Sequence, residues 1–210
     1  MEQLERDYAK EVVNYSAALA LMTTRINNLL ALRKRDGQEI PCTVSSRIKC
    51  FDSAFEKCVR KTGKKQEDVT LDDIFESEND IAGARICVLF RRHIHELERA
   101  IKKLPGMSIT KTKDYLNEPK SNGYSSLHLI VQVEIYTEEG TTLVPVEIQL
   151  RTKAQDLWAE LEHYLYKNKG VFPEAFKALF KQIAKQLQKI DELGEKIFVL
   201  INNQEGDATE

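Results

Sequence analysis

The clearest pattern in this sequence is a pair of neighbouring segments in which apolar and polar residues alternate. Over residues 126–136, Leu, Val or Ile recurs at every second position, and the positions between them include Ser, His, Gln and Glu. Residues 142–151 alternate in the same way. A period of two predicts two strands, and the short turn 137–140, which ends in glycine, predicts that they pair antiparallel. On this pattern alone, the polar side of the hairpin is the solvated face of a sheet.

The remaining elements follow from helical spacing and from capping signals. Apolar residues at steps of three and four predict a long first helix over residues 2–34. The sequence then predicts a helix from 51 to near Gly63 and a short helix that a capping box opens at Thr70–Asp73. An apolar strand over 80–90, a helix over 91–104 that ends at Pro105-Gly106, and a strand over 107–115 follow. The hairpin comes next, then a helix after Thr152 and a last helix that begins at Pro173. His93 and His95 fall on opposite faces of their helix and are interpreted as surface residues. This order predicts an α/β or α+β domain with a mixed sheet of about five strands covered by helices.

The last helix carries apolar residues at alternating steps of four and three, which is typical of a coiled-coil seam. The seam consists of Phe176, Phe180, Ile183, Leu187, Ile190, Gly194, Ile197 and Ile201. It is buried either against the first helix or against other copies of the chain, in a homo-oligomer such as a tetramer, and the sequence leaves both interpretations open. We divide the chain into a domain at 1–170, a C-terminal helix at 171–203 and a tail at 204–210 that is predicted to be disordered.

Composition narrows the class of protein. A length of 210 residues suits one domain with a sizeable core, and a formal charge of −2 argues against a general nucleic-acid binder. The four cysteines have no C-x-x-C spacing, so we expect reduced and mostly buried thiols rather than a zinc site. No apolar run has the length of a membrane span and no secretion signal is evident. A cytoplasmic protein without a membrane partner is the simplest interpretation.

Charged residues in and before the apolar strand are candidates for binding chemistry. The strand has only two charges, Asp80 at its beginning and Arg85 inside it. Buried charges need partners, so the two either pair with each other or bind a metal or a nucleotide. The basic residues over 47–61 are either a solvated helix face or a site for phosphate groups.

Several separated segments together resemble the synthetase domain of the RelA/SpoT family. The similar motifs are Ser-Arg-Ile-Lys at 46–49, Asp-Ile-Ala-Gly-x-Arg at 80–85, Lys-Ser-Asn-Gly-Tyr-Ser-Ser-Leu-His at 120–128 and Val-Glu-Ile-Gln-Leu-Arg-Thr at 146–152, followed by Trp158 and Glu162-His163. The short length resembles the small alarmone synthetases, which carry this domain alone. The resemblance implies a nucleotidyltransferase-like fold and a pyrophosphokinase that uses Mg²⁺. The implied reaction moves the β,γ-diphosphate of ATP to the 3′-hydroxyl of GDP or GTP and releases AMP and the alarmones ppGpp or pppGpp.

The resemblance also implies a role for individual residues. It makes Asp80 and Glu147 the catalytic residues and the metal ligands. The ATP-binding residues are Arg47, Lys49, Ser53, Lys57, Arg60 and Arg85, of which Arg47 and Arg85 stack on the adenine. The residues for the acceptor nucleotide are Lys120, Tyr124, His128, Gln149, Arg151, Asp156 and Arg25. Trp158 is expected in the core, and Glu162 has no assigned role.

Departures from the family pattern keep a second interpretation open. Many relatives carry a basic residue after the Gly-Tyr, where this chain has Ser125, and Asp156 lies where the family contacts the acceptor base. Some short relatives are toxins that make adenosine alarmones or transfer pyrophosphate to the 3′ end of tRNA, which would add tRNA and an antitoxin protein as partners. A third interpretation, a binding module without catalysis, is disfavoured by the presence of Asp80 and Glu147. The His-Asp dipeptide of the family's hydrolase does not occur, so hydrolysis of the product is not expected.

Overall fold

A five-stranded mixed sheet is the framework of the chain. The computed structural model describes the backbone of residues 1–169 and 174–207 and the side chains within 1–165 and 176–201. The strands are β1 (Cys42–Ile48), β2 (Ala82–Val88), β3 (Met107–Asp114), β4 (Leu127–Thr137) and β5 (Gly140–Thr152), in the spatial order β1-β2-β5-β4-β3. β2 and β5 run parallel, and the other neighbouring strands are antiparallel. The predicted fold class is confirmed.

Strand β1 is absent from the elements predicted from the sequence. Only Cys42 and Val44 alternate with exposed neighbours, and residues 45–47 are exposed in succession. β1 lies at the edge of the sheet and pairs only with β2. An edge strand with one neighbour buries little apolar surface, so the pattern of two that identifies β4 and β5 is missing there.

The helices surround this sheet. They are α1 (Glu2–Arg35), α2 (Phe51–Thr62), α3 (Leu71–Ser77), α4 (Arg91–Ile101), α5 (Lys153–Lys169) and α6 (Glu174–Asp207). The predicted capping box opens α3: the Asp73 N–H donates to the Thr70 hydroxyl, and the Asp73 carboxylate accepts from the Thr70 N–H. Because α6 continues to Asp207, the prediction of disorder is wrong for residues 204–207, where extending an existing helix costs little. Pro173 and residues 208–210 lie outside the described residues.

The main core lies between one face of the sheet and helices α1 and α4. It contains the apolar sides of β4 and β5, as the alternation predicts, together with Met22, Ile26, Ile94 and Leu97, all fully buried. Two of the four free cysteines, Cys58 and Cys87, are buried, and Cys50 is exposed. None of the helices within the described residues is long and apolar enough to cross a membrane.

His93 is buried, so its interpretation as a surface residue is wrong. Its ring contacts Phe90 and Phe198 at centroid distances of 5.5 and 5.7 Å, because α6 covers this face of α4. Burial lowers the pKa of His93 below its ordinary value and favours the neutral ring. His95, on the opposite face, is partly exposed, with 41% of its side chain accessible.

The C-terminal helix α6 packs on α5 and α4. The seam is covered from Phe180 to Leu187, where Phe180 is buried against Trp158 and Ile183 and Leu187 pack beside them, whereas Phe176 is 47% exposed. The second half is open, since Ile190 and Ile197 are 58% and 56% exposed. The seam therefore combines packing inside the chain with an apolar surface that the chain itself leaves uncovered.

Replacing Ile26 by alanine is expected to lower the free energy of unfolding by about 2–5 kcal/mol, because the change opens a cavity in the core beneath α1. Urea unfolding followed by circular dichroism measures the loss. Leu32→Ala on the same helix is the control: Leu32 is half exposed, and its loss is expected to stay within about 0.5 kcal/mol. Equal losses in the two variants would contradict the described packing of α1.

Candidate active site

Polar residues from all five strands lie in two rows across one face of the sheet. Strand register aligns a first row of Ser45, Arg85, Gln149, His128 and Lys113. The next row, two residues along each strand, is Arg47, Gly83, Glu147, Ile130 and Lys111. Residues two apart on a strand share a face. The sheet therefore brings together candidate residues that are far apart in sequence.

Five side chains on this face form a closed ring of hydrogen bonds. Arg151 Nη2 donates to the Tyr124 hydroxyl (2.6 Å) and to Gln149 Oε1 (2.7 Å). The Tyr124 hydroxyl lies 2.7 Å from His128 Nε2, and His128 Nδ1 lies 3.0 Å from Glu147 Oε1. Gln149 Nε2 donates to Glu147 Oε2 at 2.7 Å and closes the ring. Because arginine only donates and a carboxylate only accepts, the ring is satisfied when Tyr124 donates to His128 and His128 Nδ1–H donates to Glu147.

The polar side of the hairpin is buried, in contrast to the solvated face that the alternation alone would favour. His128, Glu147 and Arg151 are only 7%, 5% and 4% exposed. The rings of Tyr115 and Tyr124 lie against His128, and α5 crosses the ends of β2 and β5. Alternation along a strand reports polarity, but it does not reveal what covers the polar side.

Glu147 is held as an ionised carboxylate by its neighbours. Burial by itself raises its pKa, but the hydrogen bond and electrostatic interaction with His128 and the hydrogen bond from Gln149 outweigh burial and hold the pKa below its usual range. Lys113 adds a positive charge, with Nζ 3.9 Å from Glu147 Oε1. A carboxylate with a lowered pKa is a weak base, but it suits hydrogen-bond donors and cations.

Asp80 lies in a cluster of lysines, and neither Asp80 nor Arg85 uses the other as its ion-pair partner. Lys49 Nζ and Lys57 Nζ lie 3.0 and 2.9 Å from Asp80 Oδ1. Burial opposes ionisation of Asp80, but the hydrogen bond from Lys57 and the charges of Lys49 and Lys57 hold its pKa well below the usual range. Two of the predicted ATP-binding lysines therefore meet at the predicted metal ligand.

Glu78 is the anchor of this cluster, and the sequence analysis does not identify it. It is fully buried, lies 2.6 Å from Lys49 Nζ, contacts Lys57, and lies 3.3 Å from Lys61 Nζ. Glu78 belongs to the run Ser-Glu-Asn-Asp at 77–80, which has the composition of a polar turn. The only signal in the sequence is an acidic residue two positions before Asp80, facing a helix with several lysines.

A cavity of about 250 Å³ opens beside this cluster, between β1, β2 and β5. Asp80 and Glu147 both line it, so the two predicted metal ligands face one space. Arg47 and Arg85 also line it, from neighbouring strands. Ser53 and Arg60 are not among its described lining residues; they lie about one turn before and after Lys57 on α2.

Asp156, in the first turn of α5, bridges the two halves of the site. Its Oδ1 lies 3.1 Å from Arg85 Nη1 and 3.3 Å from Arg151 Nη1. Arg85 belongs to the cavity, and Arg151 belongs to the ring of hydrogen bonds. The Asp156 carboxylate is thus committed to two arginines.

The loop before β4 brings Lys120 and Tyr124 to the ring. The Gly123 N–H donates to the Lys120 carbonyl (2.8 Å), and the Lys120 N–H donates to the Tyr124 carbonyl (3.0 Å). Tyr124 is 9% exposed, and cations approach its ring: Lys120 Nζ lies 4.8 Å and Arg151 Cζ 5.1 Å from the ring centroid. A base can stack on this ring only after one of these side chains moves.

The loop is also fixed to α5. Asn122 Nδ2 donates to Glu162 Oε1 at 2.6 Å, which gives Glu162 a structural contact with the loop. Trp158 is buried, as predicted, and its ring lies against Tyr124.

Arg25 is not brought to the site, and its prediction as an acceptor ligand is corrected. Its Nη1 donates to the Gly106 carbonyl at 2.9 Å, next to Glu134 and Tyr136. Glu134 is six residues along β4 from His128, a distance of about 20 Å in a strand. The reason is that α1 crosses the apolar face of the sheet, opposite the polar rows.

Comparisons with known proteins point to one family. A family model described as the region found in RelA/SpoT proteins matches residues 46–171. GTP pyrophosphokinase YwaC of Bacillus subtilis is 31% identical over 194 residues, covering 91% of this chain and 90% of the relative. GTP pyrophosphokinase YjbM of Bacillus subtilis is 30% identical over 190 residues, covering 90% and 87%. A crystal structure of small alarmone synthetase 1 from Bacillus subtilis, bound to its product pppGpp, has a TM-score of 0.83 at 27% identity and covers 94% of this chain and 99% of that chain.

Glu78→Gln is expected to lower the free energy of unfolding by roughly 1–3 kcal/mol, because it removes the buried negative charge between Lys49 and Lys57. Thermal and urea unfolding measure the loss. Glu76→Gln removes a charge from an exposed position of α3, two residues before Glu78, and serves as the control, with little expected change. If Glu78→Gln were as stable as this control, Glu78 would not be the anchor of the lysine cluster.

Proposed function

This chain belongs to the RelA/SpoT family, and we propose that it is a GTP pyrophosphokinase that transfers the β,γ-diphosphate of ATP to the 3′-hydroxyl of GDP or GTP. The products are AMP and a guanosine tetra- or pentaphosphate. The observation that carries this proposal is the position of Glu147. Its carboxylate is a member of the hydrogen-bonded ring with Tyr124 and His128 and also lines the cavity that contains Asp80.

ATP occupies the cavity between β1, β2 and β5. Arg47 and Arg85 line it from neighbouring strands, and planar guanidinium groups stack on bases as well as bind phosphates. Lys49 and Lys57 lie at Asp80 and supply positive charge where the diphosphate is transferred. Arg60 and Ser53, on either side of Lys57, extend this basic surface along α2.

Asp80 and Glu147 are the residues that hold a magnesium ion. They fit this role because both carboxylates line one cavity, and Mg²⁺ in nucleotide sites is bound by one or two carboxylates together with substrate phosphates. A magnesium ion held there would supply charge neutralisation for the transferred group and would lower the pKa of the acceptor hydroxyl.

Glu147 orients the acceptor hydroxyl. Its lowered pKa makes it a poor general base, so holding the hydroxyl and the cation accounts for its placement better than strong proton abstraction. His128 and Gln149 fix both carboxylate oxygens in the ring, which leaves Glu147 little freedom to turn.

The acceptor nucleotide binds at Tyr124 and the surrounding cations. Lys120 covers the Tyr124 ring, and it is exposed enough to swing away. The base then takes the place of the Lys120 ammonium on the ring, while Lys120, His128 and Arg151 meet the ribose and phosphates.

We propose a guanosine acceptor in preference to the acceptors of the toxin interpretation. Asp156 is the departure that puts guanine binding in question, but its carboxylate is occupied by Arg85 and Arg151. The names of the relatives, GTP pyrophosphokinases, support the same choice. The cytoplasmic location stays a prediction, in keeping with four free cysteines.

With ATP labelled in the γ-phosphate and with magnesium, label is expected to appear in guanosine tetra- or pentaphosphate when GDP or GTP is offered. Glu147→Gln is expected to lower kcat by roughly 10²–10⁴-fold, because the neutral amide binds neither the hydroxyl nor the cation as a carboxylate does. Glu139→Gln, in the exposed turn before β5, is the matched control with unchanged activity. ADP, ATP and deacylated tRNA are offered separately, and label found only on these acceptors would contradict the proposal.

We also propose that copies of the chain associate through the open half of the α6 seam. Ile190 and Ile197 of the seam, together with Leu193 and Leu200 beside it, recur at helical spacing and are 56–63% exposed. A stripe of this kind on one helix is the pattern of a helix–helix interface between chains.

Leu193→Glu combined with Ile197→Glu is expected to convert the oligomer to a monomer, because two charges would be buried at the seam. Size-exclusion chromatography with light scattering measures the mass. Lys189→Glu changes charge at an exposed position of the same helix and is expected to leave the mass unchanged. A wild-type protein that is monomeric at high concentration would rule out this interface.

A further inference from the structure

The loop that carries Tyr124 rests on the C-terminal helix. Gly123 has φ +97°, and a Cβ atom at this position would lie 2.6 Å from the Cβ of Ala184 and 3.9 Å from the Cα of Lys181. Cβ atoms essentially never lie within 3 Å of a non-bonded atom, so the backbone of the loop touches α6 directly. Only glycine fits here, because of both the positive φ and the close approach.

A second contact joins Tyr124 to the same helix through Trp158. The Tyr124 and Trp158 rings lie edge to face with a centroid distance of 6.0 Å. Trp158 Nε1 donates to the backbone carbonyl of Phe180 at 3.1 Å, and the two rings pack at 5.7 Å. The position of the Tyr124 ring thus depends on two consecutive turns of α6.

The donor half of the site has no such support. None of the described residues that line the cavity containing Asp80 and Arg47 belongs to α6. A change in the contact between α6 and the loop is therefore expected to alter binding of the acceptor nucleotide and not binding of ATP.

We propose that α6 is the support for the acceptor loop and that Ala184 is a positioning residue for the acceptor nucleotide. This inference rests on the proposed function. While the loop lies on α6, the Tyr124 hydroxyl keeps its hydrogen bonds to His128 and Arg151. The aromatic ring of Tyr124, on which the base stacks, is then fixed in place. When the contact is lost, the loop has to be ordered by the acceptor itself, and acceptor affinity falls.

Purely structural packing predicts a different result. If Ala184 only stabilised the fold, its variants would lower the melting temperature and leave the Michaelis constants of the folded enzyme unchanged. If Ala184 positions the acceptor loop, its variants affect the two substrates differently: KM for GTP rises and KM for ATP does not.

Ala184→Leu is expected to push the loop away and to raise KM for GTP about ten-fold, with KM for ATP within about two-fold of wild type. Gln186→Leu adds the same side chain at an exposed position of α6 and is the matched control. Unchanged or lowered KM for GTP in Ala184→Leu, or an equal rise for both substrates, would overturn the proposal.

A binding readout that needs no turnover is available because Trp158 is the only tryptophan of the chain. Its emission reports the contact between Tyr124 and α6. Ala184→Leu is expected to shift the tryptophan emission to longer wavelength. When GDP is added without ATP, the tryptophan emission is expected to change at lower GDP concentration in wild type than in the variant. Identical spectra and identical GDP titrations for the two proteins would refute the proposal.

A pair of small substitutions tests the contact itself. Gly123→Ala alone is expected to weaken GDP binding, because its methyl group meets Ala184 and because of the positive φ. Adding Ala184→Gly removes the clash and is expected to restore part of the affinity, leaving the φ effect. No restoration would mean that Ala184 does not position the loop. Failure of the wild-type protein to make any guanosine product would instead count against the proposed function, independently of these GDP titrations.

Discussion

The ring of hydrogen bonds through Tyr124, His128, Glu147, Gln149 and Arg151 is the constraint on which the site depends. Burying a carboxylate and a guanidinium is costly unless their polar atoms find partners. In the ring each side chain supplies a partner for the next, and both carboxylate oxygens of Glu147 are satisfied. Arg151 Nε finds no hydrogen-bond partner among the described residues, but a carboxylate held at both oxygens is fixed in place, as the role proposed for Glu147 requires.

The order of strands explains why donor and acceptor halves meet at this ring. β5 is the central strand and carries three members of the ring, while its parallel neighbour β2 carries Arg85 and its antiparallel neighbour β4 carries His128. The lysines at Asp80 come from elements outside this group, Lys49 after β1 and Lys57 on α2. The two faces of the sheet therefore have different roles. The apolar face packs against α1 and α4 in the core, and the polar face carries the candidate active site.

Sequence patterns predicted those features that repeat locally. The alternation in β4 and β5 predicted the hairpin and its polar side, and helical spacing predicted α1 and α6. Sequence patterns do not predict features that depend on partners far away in the chain. Strand β1 lacks alternation because it is an edge strand. Glu78 is recognised only through the lysines that surround it in the folded chain. Arg25 shows the converse error, since a basic residue on α1 matched the family's pattern but the helix crosses the other face of the sheet.

The Asp156 bridge links the two nucleotide sites proposed for this chain. Arg85 on the donor side and Arg151 on the acceptor side share one carboxylate oxygen. If a nucleotide at one of the two proposed sites drew its arginine away, Asp156 would be left to the other arginine, so the free energy of binding at one site would include a term set by occupancy of the other. Thermodynamic linkage makes that term the same in both directions. A single carboxylate thereby gives the two substrates a means of sensing each other before any bond is made or broken.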